Sequence, residues 1–319
     1  MNTFLPEHFS LAHTDFNFKN QKKIYQGKVR DVYDLGEHLL VITTDRISAF
    51  DHILPRPIPY KGQVLNQIAA YFLQDVKDIL DTWLIEIPDP NVSYGFKCNP
   101  IKIEMVVRGY LSGHAWRVYK EGKRILCGET LPEGLRQDDR FTQPIITPTT
   151  KADSGHDEDI SLQEIKNRNL VDSGMLDQMV DASLKLFERG TQRALERGLI
   201  LVDTKYEFGL LNGKLMLMDE IHTPDSSRYF EENSYESNRL NNLAQKQLSK
   251  EFVREWLIAH GFQGLEGQLM PEMSDSLVWL ISDRYIELYE RLTGIQFTKR
   301  EQPEDLRDRL IKNLTKYLP

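Results

Sequence analysis

The stretch LVDTKYEFG, residues 201–209, alternates charged and apolar side chains. In an extended chain, successive side chains point to opposite faces of a sheet. Asp203, Lys205 and Glu207 are therefore predicted to line one face of a strand, with apolar residues on the other. Two carboxylates beside an ammonium group leave two interpretations open. They form either a solvent-exposed sheet face or the floor of a site that binds a metal ion and phosphates.

A β-hairpin is predicted to follow this strand, because Asn212-Gly213 separates two apolar-rich runs. A two-residue loop would place Lys205 opposite Glu220, whereas a three-residue loop would place it opposite Asp219. In either register, an acidic side chain joins the charged face. Such a set suits Mg2+, a hard cation that binds a few carboxylates together with phosphate oxygens and water.

Composition narrows the class of protein. The chain has 319 residues, 40% of them hydrophobic and 28% charged, which is typical of a globular protein with one large domain or two. The net charge of −8 argues against a nucleic-acid-binding protein, which needs surplus Lys and Arg. We see neither an apolar run long enough for a membrane span nor a signal peptide. Two cysteines without metal-binding spacing fit a reducing cytosol, so a cytoplasmic location is expected.

The predicted elements change from strands to helices along the chain. Residues 22–60 are rich in strand formers, whereas helical spacing dominates the C-terminal part. This order favours an α+β fold. We predict three domains: a β-rich domain with a glycine-containing phosphate loop (1–108), a central α+β domain with the substrate and metal sites (109–243), and a helical region packed on the core (244–319).

A first candidate phosphate loop is YQGKVRDVY, where Gly27 precedes Lys28 and Arg30. Backbone N–H groups and a cation could cover the phosphates of a nucleotide there. The stretch lacks the spacing of the known nucleotide-binding glycine motifs. A plain hairpin turn is the alternative.

Two further stretches carry groups suited to anions. One apolar strand ends in Arg108, followed by Ser112 before a predicted helix, and a helix start with a cation can bind an anion. The alternative is that Ser112 only caps the helix and Arg108 is solvated. HTPDSSR offers Asp225, Ser227 and Arg228, and Arg is suited to phosphate or carboxylate recognition. A turn with a surface ion pair explains the same residues.

A polar stretch, TPTTKADSGHDED, concentrates Lys151, Asp153, His156 and Asp157. A transition-metal site would need a second histidine or a cysteine at ligand spacing, and the stretch has neither. We interpret it as a substrate-contacting loop, with a polar surface loop as the alternative.

Taken in order, GKVRDVY, TDRISAFD, VVRGYLSG, TPTTKAD, LILVDTKYEFG and DEIHTPDSSR resemble the motifs of the phosphoribosylaminoimidazole-succinocarboxamide synthase (SAICAR synthetase) family. The resemblance covers roughly residues 20–260 and is closest to the longer form of the family. LVDTKYEFG and DEIHTPDSSR are its most specific parts. Two positions depart from the family pattern: Lys102 stands where proline is usual, and His114 stands where serine is usual.

The resemblance implies a SAICAR synthase-like α+β fold whose mixed α/β centre binds ATP in the manner of ATP-grasp or kinase-like proteins. It implies an ATP-dependent ligase of de novo purine (IMP) synthesis that uses Mg2+. ATP, L-aspartate and carboxyaminoimidazole ribonucleotide (CAIR) would give SAICAR, ADP and phosphate through an acyl phosphate. The longer form also implies a monomer. A small-molecule kinase and a non-catalytic nucleotide-binding protein remain the alternatives.

The resemblance implies roles for individual residues as well. The catalytic set would be Lys205, Asp203 and Arg108, with Lys205 at the reacting carboxylate and phosphate. The implied binding residues are Gly27, Lys28, Arg30, Glu207 and Asp219 for ATP, with Glu207 and Asp219 as the Mg2+ ligands, and Arg108, Ser112, Lys151, Asp153, His156, Asp157, Asp225, Ser227 and Arg228 for the substrates.

Overall fold

The computed structural model describes residues 4–151, 158–300, 302–303 and 305–319. The chain divides into two compact units built from discontinuous segments. Unit 1 comprises Met1–Tyr71, Leu84–Lys97 and Leu248–Pro319, and unit 2 comprises Phe72–Trp83 and Cys98–Gln247. The division into three consecutive domains stays a prediction. Segments distant in sequence share a unit because sheet and core neighbours come from different parts of the chain.

Strands and helices both contribute to the fold, as the α+β prediction requires. The strands are β1 (Lys23–Gln26), β2 (Arg30–Asp34), β3 (His38–Thr43), β4 (Ser48–Ala49), β5 (His52–Ile53), β6 (Leu84–Asp89), β7 (Val92–Phe96), β8 (Asn99–Tyr110), β9 (Ile125–Leu126), β10 (Glu129–Thr130), β11 (Arg140–Ile146), β12 (Thr149–Thr150), β13 (Leu199–Leu211), β14 (Lys214–Met218) and β15 (Ser227–Glu231). The α-helices are α1 (Lys61–Asp75), α2 (Gly113–Lys120), α3 (Leu162–Asn167), α4 (Ser173–Leu195), α5 (Glu232–Leu240), α6 (Glu251–Ala259), α7 (Asp275–Thr293) and α8 (Leu306–Asn313).

Unit 1 is organised around an antiparallel five-stranded sheet in the order β1-β2-β3-β7-β6. Helix α8 contributes Leu306 and Leu310 to the core of this unit, where they join Tyr33 and Ile42 of the sheet. Arg309 of the same helix donates a hydrogen bond at 3.0 Å to Asp89, at the end of β6. The C-terminal helix therefore belongs to the core around this sheet.

Unit 2 is organised around a six-stranded sheet in which β11, β8, β13 and β14 are neighbours in that order. β12 also pairs with β8, and β15 pairs with β13. The two long central strands are antiparallel, and their register places Asp203 opposite Arg108 and Glu207 opposite Glu104. Because residues directly opposite each other share a face, this register collects charges from both strands on one side of the sheet.

Helix α4 covers the other face of this sheet. A Cβ atom on Gly109 of β8 would lie 3.2 Å from the Phe187 ring of α4, so the strand and the helix approach closely there. A Cβ atom on Gly190 would lie 2.5 Å from the His222 ring. Both glycines permit contacts that a larger residue would obstruct. The charged side chains are therefore confined to the face that α4 does not cover.

The predicted hairpin has the two-residue register. Leu211 pairs with Lys214 and Glu207 pairs with Met218. Asn212 and Gly213 have φ values of 52° and 81°, as this type of tight turn requires. The ladder ends at Met218, and Asp219 with φ 56° begins the turn that leaves the strand. The three-residue loop that was the other option is therefore wrong.

Two other elements differ from the sequence prediction. The apolar spacing of residues 62–80 predicts one helix, but α1 ends at Asp75. The Thr-, Pro-, Asp- and Gly-rich composition of residues 142–161 predicts a loop, but its first residues belong to β11. This strand forms an edge of the sheet and has an irregular register between Arg140 and Ile145. Pro144 lies inside that irregularity, and an edge strand with a bulge tolerates proline. Among the described residues, no helix has both the length and the apolar character needed to cross a membrane.

Candidate active site

The charged face predicted from LVDTKYEFG exists, and it is not a solvated surface. Lys205 Nζ donates hydrogen bonds to Glu104 Oε1 at 2.9 Å and to Glu207 Oε1 at 2.8 Å. Glu104 and Glu207 side chains are each only 11% exposed, and that of Lys205 is 31% exposed. The apolar partners of the alternation, Tyr206 and Phe208, are buried on the opposite face. An ammonium group is thus held between two largely buried carboxylates.

Mutual electrostatic effects keep Lys205 and Glu207 charged. Burial opposes ionisation of Glu207, but Lys205 and Lys151 outweigh it and hold the pKa of Glu207 well below its ordinary value. Burial likewise disfavours the ammonium form of Lys205, yet the surrounding carboxylates raise its pKa. Burial raises the pKa of Glu104 above its usual range, and the neighbouring charge of Glu207 adds to the effect. Lys205 is therefore a fixed positive charge.

Asp219 acts on the same lysine. Its charge contributes, after those of Glu207 and Glu104, to the raised pKa of Lys205. Its backbone carbonyl accepts a 3.1 Å hydrogen bond from Trp83 Nε1, which fixes the turn after β14. The next acid along, Glu220, accepts a 2.6 Å hydrogen bond from Thr223 Oγ1. Of the two acids that the hairpin registers offered, Asp219 therefore acts on the charged face.

The donor set suits a hard divalent cation that brings further ligands with it. Glu207 and Asp219 offer carboxylate oxygens, which Mg2+ prefers. Among the described residues, no group of three or more His, Cys, Asp or Glu side chains could hold a metal ion by itself. Two carboxylates leave coordination positions of Mg2+ for other oxygens, such as those of nucleotide phosphates and water.

Two arginines form an anion clamp on the same face. Arg108 Nη1 and Arg228 Nη1 both donate to Asp203 Oδ2, at 3.2 and 2.6 Å. Arg108 also donates from Nε to Thr147 Oγ1 at 2.8 Å. Arg108 is 5% exposed, so the alternative of a solvated side chain is wrong. Two guanidinium groups held side by side present N–H donors in the geometry that suits a phosphate or carboxylate ligand.

The start of α2 approaches the clamp. Gly113 has φ 54°, and a Cβ atom there would lie 2.4 Å from the guanidinium of Arg228. Glycine is therefore needed for both the backbone conformation and the space. Ser112 stands at the N-cap position, but its hydroxyl donates to Asp138 and makes no capping hydrogen bond. The interpretation of Ser112 as a side-chain cap is wrong.

His114, one of the two departures from the family pattern, is paired. Its Nε2 lies 2.7 Å from Asp159 Oδ2. This hydrogen bond is the main reason that the pKa of Asp159 lies below its ordinary value, and Arg108 lowers that pKa further. The imidazole is thus connected to the anion clamp through Asp159, whose carboxylate interacts with Arg108.

The residues of HTPDSSR separate in the structure. Arg228 joins the clamp, whereas Ser227 points to the opposite face of β15 and its hydroxyl donates to Thr204 Oγ1 at 2.7 Å. The structure therefore does not bring the Ser227 side chain to the charged face, because neighbours on a strand alternate. Asp225 lies partly exposed in the turn before β15.

Of Lys151, Asp153, His156 and Asp157, the four residues named in the predicted substrate loop, Lys151 lies in the part of the chain that the structure describes. Its Nζ pairs with Glu207 Oε2 and lies 3.9 Å from Glu104 Oε1. Asp153, His156 and Asp157 lie outside the described residues. Glu207 therefore accepts from two ammonium groups.

The predicted phosphate loop belongs to unit 1, where it connects β1 to β2. Gly27 N donates to Arg30 O at 2.7 Å, which closes a tight hairpin turn. Arg46 Nη2 donates to the carbonyl of Gly27 at 2.9 Å, and Lys28 Nζ contacts Asp51 at 2.5 Å. The hairpin geometry that was the alternative is thus present, and contact with ATP stays a prediction.

Sequence reasoning missed four residues of the site: Glu104, Asp138, Thr147 and Asp159. Glu104 carried a signal, because IEMVVR places Glu104 and Arg108 at even spacing in an otherwise apolar strand. Thr147 and Asp159 lie within TPTTKADSGHDED, where the sequence did not single them out, and Asp138 reaches Ser112 by a contact between distant segments.

A cavity of about 730 Å³ lies elsewhere, between α4 and β11. Its lining includes Gly109, Phe141, Phe187 and Leu201, and none of the predicted site residues. The predicted site residues therefore lie outside this cavity.

The sequence of the chain matches that of a known protein family. Residues 23–268 match the family model described as SAICAR synthetase. The chain belongs to the SAICAR synthetase family. Members of this family are ATP-dependent ligases that join CAIR and L-aspartate in purine biosynthesis, and the chain is an enzyme of that class. The sequence-based assignment and the α+β fold expected from it are confirmed.

Relatives match this SAICAR synthetase family chain over nearly its whole length. The phosphoribosylaminoimidazole-succinocarboxamide synthase of Cytophaga hutchinsonii is 55% identical over 311 residues, which are 97% of this chain and 99% of the relative. That of Legionella pneumophila strain Paris is 42% identical over 315 residues, again 97% and 99%. A structure of the SAICAR synthase of Saccharomyces cerevisiae in complex with SAICAR has a TM-score of 0.75 at 30% identity, and the match covers 90% of this chain and 99% of that one.

Proposed function

We propose that the charged face of β8 and β13 is the catalytic floor on which L-aspartate is joined to CAIR. The observation that carries this proposal is the ammonium group of Lys205, held between Glu104 and Glu207 on the same face as the arginine clamp. A fixed cation beside acidic groups and an anion clamp suits a reaction that moves a phosphoryl group between oxygens.

The chemistry requires activation of the CAIR carboxylate. A carboxylate is a poor electrophile because its leaving group would be oxide. Its oxygen attacks the γ-phosphorus of ATP, the bond to the bridging oxygen breaks, and ADP leaves. The amine of aspartate then attacks the acyl phosphate, loses a proton and expels phosphate. In this scheme Lys205 neutralises charge on the reacting carboxylate and the transferring phosphoryl group.

Glu207 and Asp219 would hold Mg2+ with the phosphates of ATP. Mg2+, when bound, supplies charge neutralisation on the nucleotide phosphates. Support comes from the carboxylate donor set and from the effect of both acids on Lys205. Gly27, Lys28 and Arg30 would also contact ATP. The support for this contact is the resemblance of GKVRDVY to the family motif and the half-exposed ammonium of Lys28.

Arg108 and Arg228 would grip the phosphate of CAIR, with Asp203 ordering both guanidinium groups. Arginine binds phosphate oxygens in bidentate geometry, so two guanidinium groups held side by side by Asp203 suit this ligand. Ser112 and Asp225 would lie close to that ligand. Lys151, Asp153, His156 and Asp157 would contact the substrates L-aspartate and CAIR. We further propose a cytoplasmic monomer, as the longer form of the family implies, and light scattering would give the mass of one chain.

Release of ADP by the purified enzyme tests the function directly. We expect ADP to form only when L-aspartate, CAIR and Mg-ATP are all present, with one SAICAR per ADP by mass spectrometry. ADP release with either co-substrate alone would contradict the proposal. A product that keeps the phosphate would support the kinase alternative.

A further inference from the structure

Glu104 faces Glu207 directly across the two central strands of unit 2. Like charges at such positions destabilise a sheet, so this pair needs cations between its members. Lys205 supplies one at 2.9 Å from Glu104 and 2.8 Å from Glu207, and Lys151 supplies a second on the Glu207 side. The four side chains therefore form a ring of alternating charges, Glu104, Lys205, Glu207 and Lys151, which closes where Lys151 Nζ lies 3.9 Å from Glu104.

We propose that Glu104 is a positioning residue, which holds the ammonium group of Lys205 in place when Glu207 binds the metal ion of Mg-ATP. The inference rests on the proposed function, in which Glu207 is a metal ligand. Nothing in the resemblance to the family or in the comparisons assigns a role to Glu104.

Metal binding to Glu207 would remove one of the two contacts that hold Lys205. As a ligand, Glu207 shares its oxygens with a divalent cation, which cancels its attraction for Lys205 and repels the ammonium group. Lys205 carries its charge on a flexible four-carbon stem. After the loss of the Glu207 contact, Glu104 is the partner that still holds it through a direct hydrogen bond, at 2.9 Å.

The position of Glu104 suits this task. It lies on β8, next to β13 in the middle of the sheet, and it is only 9% exposed, so its own side chain has little freedom. The same strand carries Arg108 four residues later, on the same face. One rigid strand thereby fixes both the anchor of Lys205 and one arm of the anion clamp, and it sets the spacing between them.

A positioning role predicts a specific kinetic pattern. The metal ligands and the arginines stay intact without Glu104, so Mg-ADP binding and the KM for CAIR are retained. Without Glu104, the ammonium group of Lys205 is no longer held at the reacting groups, so the chemical step slows. Misplacement by about 1 Å costs about a hundredfold in rate. A purely structural ion pair would instead change stability and leave kcat unaltered.

The experiment compares Glu104→Ala, Glu104→Gln and wild-type enzyme, after wild-type activity has been established. We expect Glu104→Ala to lower kcat by about a hundredfold, with the Kd for Mg-ADP changed less than threefold. Glu104→Gln should lose about tenfold, because an amide oxygen accepts a weaker hydrogen bond than a carboxylate does. Glu231→Gln is the matched control. Glu231 pairs with Lys246 at 2.7 Å in the same sheet, and its substitution should leave kcat unchanged.

A spectroscopic readout is independent of turnover. In protein labelled with 15N-lysine and saturated with Mg-ADP, the Lys205 ammonium resonance, assigned through Lys205→Arg, should be visible in wild type and lost in Glu104→Ala. If Glu104→Ala fails to fold, Glu104→Gln decides: a kcat within twofold of wild type overturns the inference. A parallel loss of Mg-ADP binding also overturns it, because Glu104 would then be a metal ligand. Failure of wild-type ligase activity would instead refute the proposed function.

Discussion

Lys205 and Glu207 lie two positions apart on β13, and the lysine Nζ donates a 2.8 Å hydrogen bond to the glutamate Oε1. The pair therefore forms along one strand, and it follows from the period of two that sets which side chains share a face. A slip of one residue would move both groups to the face that α4 covers. The register of β13 thus determines whether Lys205 and Glu207 lie on the charged face.

Lys205→Ala should abolish most of the activity while the protein stays folded. Lys151 still neutralises Glu207 in the variant, but the reacting groups lose their fixed cation, and we expect kcat to fall about a thousandfold. Steady-state kinetics and the melting temperature measure the two effects. Lys214→Ala is the control, because Lys214 lies on the same hairpin and pairs with exposed Asp81. A Lys205→Ala rate close to that of wild type would remove Lys205 from the mechanism.

Asp219→Asn should weaken the use of magnesium. The variant keeps the shape of the turn but loses one anionic ligand, so the Mg2+ concentration for half-maximal rate should rise at least about tenfold. A magnesium titration at fixed ATP measures this. Glu220→Gln, beside it in the same turn, should shift the titration much less. Equal titration curves for wild type and Asp219→Asn would exclude Asp219 as a ligand.

Gly113→Ala should damage substrate binding through Arg228. The new Cβ atom would displace the guanidinium, which lies 2.4 Å away, so the KM for CAIR should rise about tenfold or more. Gly122→Ala is a matched control, since Gly122 also has a positive φ but no atom within 4 Å of its Cβ position. Each variant should lose about 1 kcal/mol of stability from backbone strain. If Gly113→Ala leaves the KM for CAIR unchanged, as Gly122→Ala should, then the contact with Arg228 has no role in CAIR binding.

His222 should make stability depend on pH. Burial lowers its pKa from 6.5 to about 3, so the unfolded chain binds more protons between these values. This contribution to stability is complete above pH 6.5 and declines as the pH falls towards 3. Between pH 7.5 and 5.0, the free energy of unfolding of wild type should fall by about 2 kcal/mol more than that of His222→Phe. Urea unfolding at both pH values measures the difference, and parallel losses would contradict it.

Local patterns predicted the central strands of the site well. The alternation of Asp203, Lys205 and Glu207 and the Asn212-Gly213 turn are properties of consecutive residues, so the sequence alone reveals them. Ser227 could not be placed in the same way. It is adjacent to Arg228 in sequence, but alternation sends their side chains to opposite faces, and only the strand boundary decides which face is which.

Pairing between distant segments was the part that sequence patterns could not supply. Glu104 reaches Lys205 because β8 lies beside β13, about a hundred residues later in the chain, and Asp138 reaches Ser112 through a loop. The two units are likewise assembled from separated segments. Such contacts depend on which strands become neighbours, and the periodicity within a strand does not specify its neighbours.

The central claim is that Glu207 and Asp219 hold the divalent ion of the nucleotide within reach of Lys205. A crystal grown with ADP and Mn2+ in place of Mg2+ tests it through the anomalous signal of the metal. We predict one manganese peak with a carboxylate oxygen of each acid at about 2.2 Å, the distance typical of oxygen ligands to such ions. A nucleotide-bound manganese ion elsewhere, with Glu207 still held by Lys205 and Lys151, would contradict the account.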